Sequence, residues 1–449
     1  MIIEDRNFKL KSFSQKDINP NYLKWVNNKN LLKYSRNKKK IDYNSALDYL
    51  KSHDNKNNLF FKILKKKGNK VIGTFTIYID KKYKIANLGI LIGEQSERGK
   101  SFGYKIYKLA INFLFKKKKI TKIIIGTRKD NTPMINICKK LKMKFFFEEK
   151  KNKKIIQNFY LKNKTSNNSV GIFLGDYGAK NQILAYLNYK KNLSINTIGK
   201  YKQSLNKFKK INIINDLKTL IFVSDYLLIG TGNNIFEKKI LKYFHEHKVI
   251  SCSVIDHFSS IKERFEFKKK LYLTNEIWAF DKLIYDRFPK KFDTKKRLKK
   301  NYYFNYLKEN TLKKNKKYIT YFTEPFRKKK GDKYRPDYYS MKYFLENVKK
   351  ISKFSKYKIQ FKLHPKDNKF YIKKILSNEI KKVNASITNK KLEEVISETK
   401  YAFGLTTMAL VISSKLKIPT YHCKLPNQNI DLIKSYSIRS FYQKSLDIY

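Results

Sequence analysis

The sequence predicts an α/β protein, a mixed sheet with helices in front of a larger α/β region in two lobes. Three observations predict it. Short apolar runs alternate with helix-length segments along the chain, which is the rhythm of βαβ units. A polar stretch at 162–169, KNKTSNNS, interrupts that rhythm between two strand-like runs and reads as a linker. The chain has 449 residues, more than one hydrophobic core usually holds. The expected units are 1–163, a linker at 164–169, a first lobe at 170–300 and a second lobe at 316–449. A basic break at 295–317, with few apolar anchors beyond its aromatics, separates the lobes. No repeat period is evident.

Hydrophobic residues make up 41% and aromatics 15%, so the chain folds despite a formal net charge of +66. Such a charge invites a polyanion, because clustered Lys and Arg release counterions on binding phosphates. Here the lysines are spread along the chain, as compositional bias spreads them, and no specific nucleic-acid partner is expected. Peripheral contact with an anionic inner membrane stays open. Cys138, Cys252 and Cys423 lie far apart with no CxxC spacing, so neither a disulfide framework nor a metal site is expected. No apolar run reaches the roughly 18 residues of a membrane span, and the first ten residues carry charges where a signal peptide needs apolar ones. A cytoplasmic location is expected.

Within the first unit, residues 88–115 (LGILIGEQSERGKSFGYKIYKLAINFLF) run from an apolar strand through a glycine turn into a helix. Phe102, Ile106, Leu109, Ala110 and Phe113 recur at helical spacing, which puts the turn at a helix N-terminus. Unpaired backbone N–H groups and the positive dipole end there cradle a pyrophosphate, and Gly99 and Gly103 would let the backbone approach it. A strand follows at 122–126, then Asn131, Thr132 and Pro133 open a helix whose stripe is Met134, Cys138 and Leu141.

The turn resembles motif A of the GCN5-related N-acetyltransferases (GNAT) in Arg98, Gly99, Lys100, Ser101, Phe102 and Gly103, with Ser101 where the first motif glycine stands. The resemblance covers about 5–163 and includes LKWVNN at 23–28 and VIGTFTIYID at 71–80. It implies acetyl-CoA as cofactor, a splayed strand pair at 88–92 and 122–126, and pantetheine amides along the edge at Ile90 and Ile92. It also implies a cofactor contact from Asn131 and an amine acceptor such as an amino sugar. Two departures stand out: Cys138 occupies the position of the catalytic tyrosine of many members, and Lys142–Met143 replaces the usual Gly-Phe. Cys138 reads as a core residue. Glu94, at the end of the first splayed strand, is the carboxylate best placed as general base, though an exposed loop Glu is also an ordinary solvated charge.

The second region opens at 169–187 with another strand, loop and helix, whose loop holds Gly175, Asp176 and Gly178. Asp176 is available as a base near a hydroxyl or water, and a glycine loop is equally what any tight α/β turn needs. Thr231, Gly232, Asp256 and His257 end later strands, at the edge where open parallel sheets bind ligands. The order of elements resembles glycosyltransferase-B (GT-B) enzymes of surface polysaccharides. His364–Pro365 and Thr406–Thr407 resemble the HP and Ser/Thr motifs of bacterial sialyltransferases and polysialyltransferases, which implies that they hold a nucleotide phosphate, with Gly175 and Gly178 in the nucleotide-sugar site. Nucleotide-sugar hydrolases and 2-epimerases share this plan, but the histidine of the hydrolase glycine loop has no counterpart between Gly175 and Gly178. The expected protein is a bifunctional enzyme of surface-sugar biosynthesis combining acetyl transfer and glycosyl transfer. The alternatives are an acetyltransferase fused to a nucleotide-sugar hydrolase or epimerase, and a basic polyanion-binding protein with degenerate enzyme domains.

Overall fold

Antiparallel pairing dominates up to residue 162, and parallel pairing takes over after it. The computed structural model describes residues 1–34, 39–151, 154–174, 177–190, 193–198, 211–232, 234–258, 260–311, 316–324, 326, 333–365, 367–426, 428 and 437–441. Among these, the first sheet holds β1 (Ile2–Glu4), β2 (Phe8–Ser12), β3 (Asn58–Lys65), β4 (Lys70–Asp80), β5 (Ile85–Ile92), β6 (Lys122–Arg128), β7 (Lys144–Lys151) and β8 (Lys154–Lys162). Their order is β1-β2-β3-β4-β5-β6-β8-β7. β3 and β4 close through a turn where Gly68 takes φ +81°, which glycine adopts without strain.

β5 and β6 run parallel and meet only at their starts: Ile85, Ala86 and Asn87 pair with Lys122, Ile123 and Ile124. Beyond Asn87 the two strands part, as expected for 88–92 and 122–126. Helix Phe102–Lys116 joins them and buries Ile106, Tyr107, Leu109, Ala110 and Leu114 in one core with Phe75, Ile77, Leu88 and Ile123.

The second sheet holds β9 (Ser169–Phe173), β10 (Ser194–Ile198), β11 (Ile211–Ile213), β12 (Tyr226–Gly230) and β13 (Ser251–Ile255). After a hairpin of β14 (Glu266–Phe267) and β15 (Lys270–Leu271), it is completed by β16 (Glu276–Ala279) and β17 (Lys295–Leu298). The third holds β18 (Tyr318–Phe322), β19 (Lys358–Lys362), β20 (Ser386–Thr388), β21 (Thr399–Gly404), β22 (Thr420–His422) and β23 (Ile438–Ser440). Their orders are β11-β10-β9-β12-β13-β16-β17 and β20-β19-β18-β21-β22-β23, parallel throughout. Both sheets thus start in the middle and reverse direction once, between β9 and β12 and between β18 and β21, the points where doubly wound sheets open a crevice. Strands such as SVGIF, SCSVI and YITYF are buried almost throughout, because helices cover both faces.

One expected boundary carries structure, and the other lies beside a packed junction. The stretch 295–317 contains β17 and helix Tyr302–Thr311, and that helix packs Tyr303 and Leu307 against Ala185 of the first lobe and Phe322, Val395 and Ile396 of the second. Its surrounding lysines hide these few anchors in a composition scan. The expected linker 164–169 ends inside β9, beside a packed junction. Phe146 and Phe147 of β7 share a core with Leu220, Ile221 and Phe244, the Glu148 N–H donates to the His247 carbonyl at 2.7 Å, and the Ile250 N–H donates to the Phe146 carbonyl at 3.3 Å. The first sheet therefore has its β7 edge covered by the first lobe. Among the described residues no helix is long and apolar enough to cross a membrane.

Candidate active sites

At the end of β5 the Gly93 and Glu94 N–H groups both donate to the Ile72 carbonyl of β4, at 3.0 and 3.1 Å. Ile92 and Ile90 stand opposite Gly73 and Phe75. By the alternation of an antiparallel ladder, their own backbone groups then turn away from β4, toward the parting from β6. These are the two residues expected to bind pantetheine. One of the carbonyls is taken: Arg98 Nε donates to Ile92 at 3.1 Å and Nη2 to Gly93 at 3.1 Å. The Arg98 side chain thus turns back on the strand end, while its backbone stays in the turn.

The turn itself is left-handed at Gly99 (φ +78°) and at Ser101 (φ +59°), the N-cap of helix Phe102–Lys116, and the Ser101 side chain makes no capping bond. The first-turn N–H groups of that helix have no intrahelical acceptor, which is the arrangement that receives an anion. Glu97 fixes the turn to the sheet through Lys65 at 3.0 Å and Lys100 at 3.3 Å. The Phe102 ring packs edge-on against Phe8. Gly103 serves packing: a Cβ there would lie 2.9 Å from Ile137 Cδ1 of the next helix. Asn131 caps that helix, accepting from the Met134 N–H at 3.3 Å and donating to Thr127 Oγ1 at 3.0 Å. Glu94 pairs with Lys70 at 3.3 Å and accepts from Ser96 Oγ at 3.2 Å. Cys138 is buried in the core, and burial pushes its thiol up to about 12. The parted edge and the N–H-rich turn together fit acetyl-CoA, the edge for its amides and the turn for its pyrophosphate.

In the second region, Gly175 and Asp176 lie outside the described residues. Gly178 is described, in helix Tyr177–Tyr189, and the Asp256 carboxylate approaches it so closely that a Cβ there would lie 1.6 Å from Oδ2. Asp256 is held by Arg264 at 3.0 Å, and Arg264 also donates to the Thr231 carbonyl. The His257 ring stacks on Phe258. The Gly232 N–H donates to Glu237 Oε2 at 2.7 Å.

At the carboxyl edge of the third sheet, Thr323 accepts from the His364 N–H at 2.9 Å and donates to Asp367. Arg335 joins Asp367, at 2.8 Å, to Asp337. Pro365 follows at the exposed end. Thr407 caps helix Met408–Lys415. Thr406 spends both its donors on one carboxylate, Glu324 Oε2, its N–H at 3.1 Å and its hydroxyl at 2.6 Å. Burial raises the Glu324 carboxyl above its ordinary value and pushes Asp337 up to about 6.

The structure therefore brings His364 and Thr406 to one sheet edge and adds Glu324, Asp337, Asp367 and Arg335, which sequence reasoning missed. One signal was available: Thr323 and Glu324 follow the first strand of a parallel series, at the edge where ligands bind. Among the described residues no cluster of His, Cys, Asp or Glu is arranged to hold a metal ion.

Residues 7–144 match the family model of the acetyltransferase (GNAT) domain. No curated protein matches the chain. Among solved structures, an acetyltransferase of the GNAT family from Bacillus anthracis is 15% identical, with 36% of this chain and 99% of that chain covered and a TM-score of 0.33. A ribosomal-protein-S5-alanine acetyltransferase from Vibrio fischeri is 14% identical over 37% of this chain and 98% of that chain, at 0.33. A spermidine N-acetyltransferase from Vibrio cholerae, solved with CoA and spermine, is 15% identical over 35% and 97%, at 0.32. The N-terminal unit is an acetyltransferase domain of the GNAT type, and acetyl-CoA is its cofactor.

Proposed function

We propose that the chain is a bifunctional cytoplasmic enzyme of surface-sugar biosynthesis. Its first unit acetylates the amine of an amino sugar or nucleotide amino sugar, and its two-lobed region, of GT-B type, transfers a glycosyl group from a nucleotide sugar. The observation that carries the first half is the parting of β5 from β6 after Asn87, which turns the backbone of Ile90 and the N–H of Ile92 away from β4 beside a turn rich in N–H groups, with the Ile92 carbonyl held by Arg98. Those two residues orient the cofactor by its amides, and the turn at Arg98, Gly99, Lys100, Ser101, Phe102 and Gly103 receives its phosphates. When bound, acetyl-CoA supplies the acyl group as a thioester. The acceptor nitrogen forms the amide bond as the thioester C–S bond breaks, and its proton must leave. Glu94, paired with Lys70, is the carboxylate at that strand end, and it takes the proton directly or through a water.

For the second half, the two reversal points support a crevice between carboxyl edges, with Gly175, Asp176 and Gly178 on one lobe and His364, Pro365, Thr406 and Thr407 on the other. Asp176 is the proposed base. The Glu324 contact favours a second reading, in which this region only binds a sugar, because phosphate reaches Thr406 only if Glu324 leaves, and hydrolysis or epimerisation of a nucleotide sugar would need that phosphate contact as much as transfer does. Incubation with acetyl-CoA and a panel of amines, free and nucleotide-linked, followed by mass spectrometry, tests both halves. Gain of one acetyl group on an amino sugar, and release of nucleotide with a new glycosidic bond, are the expected products. Nucleotide release with water as the only acceptor would establish hydrolysis instead.

A further inference from the structure

The end of β5 is pressed from one side by Trp25, on helix Pro20–Asn27: a Cβ on Gly93 would lie 2.0 Å from Trp25 Cδ2 and 2.4 Å from Cε3 and Cγ. Only a glycine admits the indole face at that point. The helix is firmly placed. Asn19 caps it through the Tyr22 N–H at 3.0 Å, and Asn27 donates to the carbonyls of Leu23 and Ile41 while accepting from the Ile41 N–H at 2.8 Å. The same segment reaches the end of β6, where Arg128 donates to the Lys33 carbonyl at 2.7 Å and lies over the Tyr34 ring at 5.5 Å. One stretch of chain thus spans the parted strands, with an aromatic ring at each end, and Trp25 is only half-buried. Lys33, Lys70, Arg98 and Arg128 stand around these ends against Glu94 and Asp130.

Building on the acetyltransferase reading, we propose that Trp25 is the specificity-determining wall of the acceptor site, against which the acceptor ring stacks. A rigid indole suits the apolar C–H face of a pyranose and gives a flexible chain little to pack on. The surplus of cations repels a polyamine and attracts a phosphate-bearing acceptor. The acceptor class is therefore an amine on a sugar ring, nucleotide-linked in preference to free.

The test measures turnover by the full chain with acetyl-CoA and glucosamine, UDP-glucosamine, other nucleotide-linked amino sugars, spermidine and an N-terminal alanyl peptide. A nucleotide-linked amino sugar should be acetylated best. Trp25→Ala should raise its KM by about tenfold with kcat little changed, while Trp25→Phe, which keeps an aromatic face, should stay within about threefold. The affinity for acetyl-CoA and the melting temperature of Trp25→Phe guard against misfolding. Preference for spermidine or the peptide, or no turnover of any amino sugar by protein that binds acetyl-CoA, overturns the acceptor class. An unchanged KM in folded Trp25→Ala overturns the wall. Failure to bind acetyl-CoA at all strikes the underlying domain reading instead.

Discussion

The same local pattern, a strand, a tight turn and a helix, occurs in the first unit and in both lobes of the second region, with opposite results. At the turn of the first unit the helix N-terminus faces outward, and its neighbouring charges, Glu97 and Lys100, pair beside it. In the lobes a carboxylate of the chain already sits at each equivalent place, Asp256 against Gly178 and Glu324 on Thr406. A helix N-terminus attracts an anion whether that anion is a ligand phosphate or the protein's own side chain. The difference lies in which carboxylates the fold brings near, and Glu324 is 82 positions from Thr406.

The largest effect is expected where the two regions meet. Lys122 of β6 is buried, 3.2 Å from Asp225 and hydrogen-bonded to the Ser224 carbonyl at 2.6 Å, and Asp225 also accepts from the Ser169 N–H at 2.8 Å and pairs with Lys162 at 3.0 Å. Asp225→Ala leaves Lys122 without its counter-charge and should cost about 3–5 kcal/mol in denaturant unfolding followed by fluorescence. Burial lowers Lys122 to about 8 from its usual 10.5. Between those values the unfolded chain binds more protons than the folded one, so its contribution to stability rises with pH across that window. Lys122→Met should flatten that rise. A cost under about 1 kcal/mol for Asp225→Ala would mean that the two regions do not depend on each other for stability.

The next effect sharpens the contrast in the turns. Glu324→Gln replaces a charged acceptor by a weaker neutral one, so Thr406 becomes easier to vacate. If the lobe takes a nucleotide phosphate, affinity for CMP or UDP, measured by calorimetry, should rise about tenfold, and Thr406→Val should remove the gain. Because burial and the neighbouring Asp337 and Asp367 hold the Glu324 carboxyl above its ordinary value, wild-type affinity should also rise as pH falls through that raised value. A loss of affinity in Glu324→Gln would make Glu324 itself a ligand contact. No binding in any variant would remove the nucleotide from this lobe.

What could be read from the sequence was what lies close along the chain. Ile90, Ile92 and the turn at Arg98 to Gly103 sit within one strand-turn-helix segment, so the local pattern put them side by side and the family resemblance gave them one role. His364 and Thr406 fell on one edge because each ends or follows a strand of a parallel series. What escaped notice depends on distant partners. Phe146 and Phe147 enter a core with Leu220 and Phe244, partners far along the chain. Arg98 read as part of the cofactor-binding turn, and its side chain turns back to the strand end, where two carbonyls lie within its reach. No periodicity reports on such choices between competing acceptors.

The smallest effect tests whether the open turn tolerates strain that a glycine would relieve. Ser101 and Lys142 stand where the family pattern resembled here carries glycine, and both keep left-handed backbones, φ +59° and +56°. A side chain in that region costs about 1–2 kcal/mol, partly offset because glycine loses more freedom on folding. Ser101→Gly and Lys142→Gly should therefore each raise stability by about 0.5–1 kcal/mol in denaturant unfolding. They lie on different helix ends, so the gains should roughly add. The Ser101 side chain makes no capping bond that the change would remove. Acetyl-CoA affinity should consequently hold or improve in Ser101→Gly, since the N–H groups that receive the phosphates belong to the backbone. If affinity instead falls while stability rises, the Ser101 hydroxyl is itself a phosphate ligand. The serine would then be a contact bought with strain, and the openness of this turn would owe as much to a side chain as to its helix.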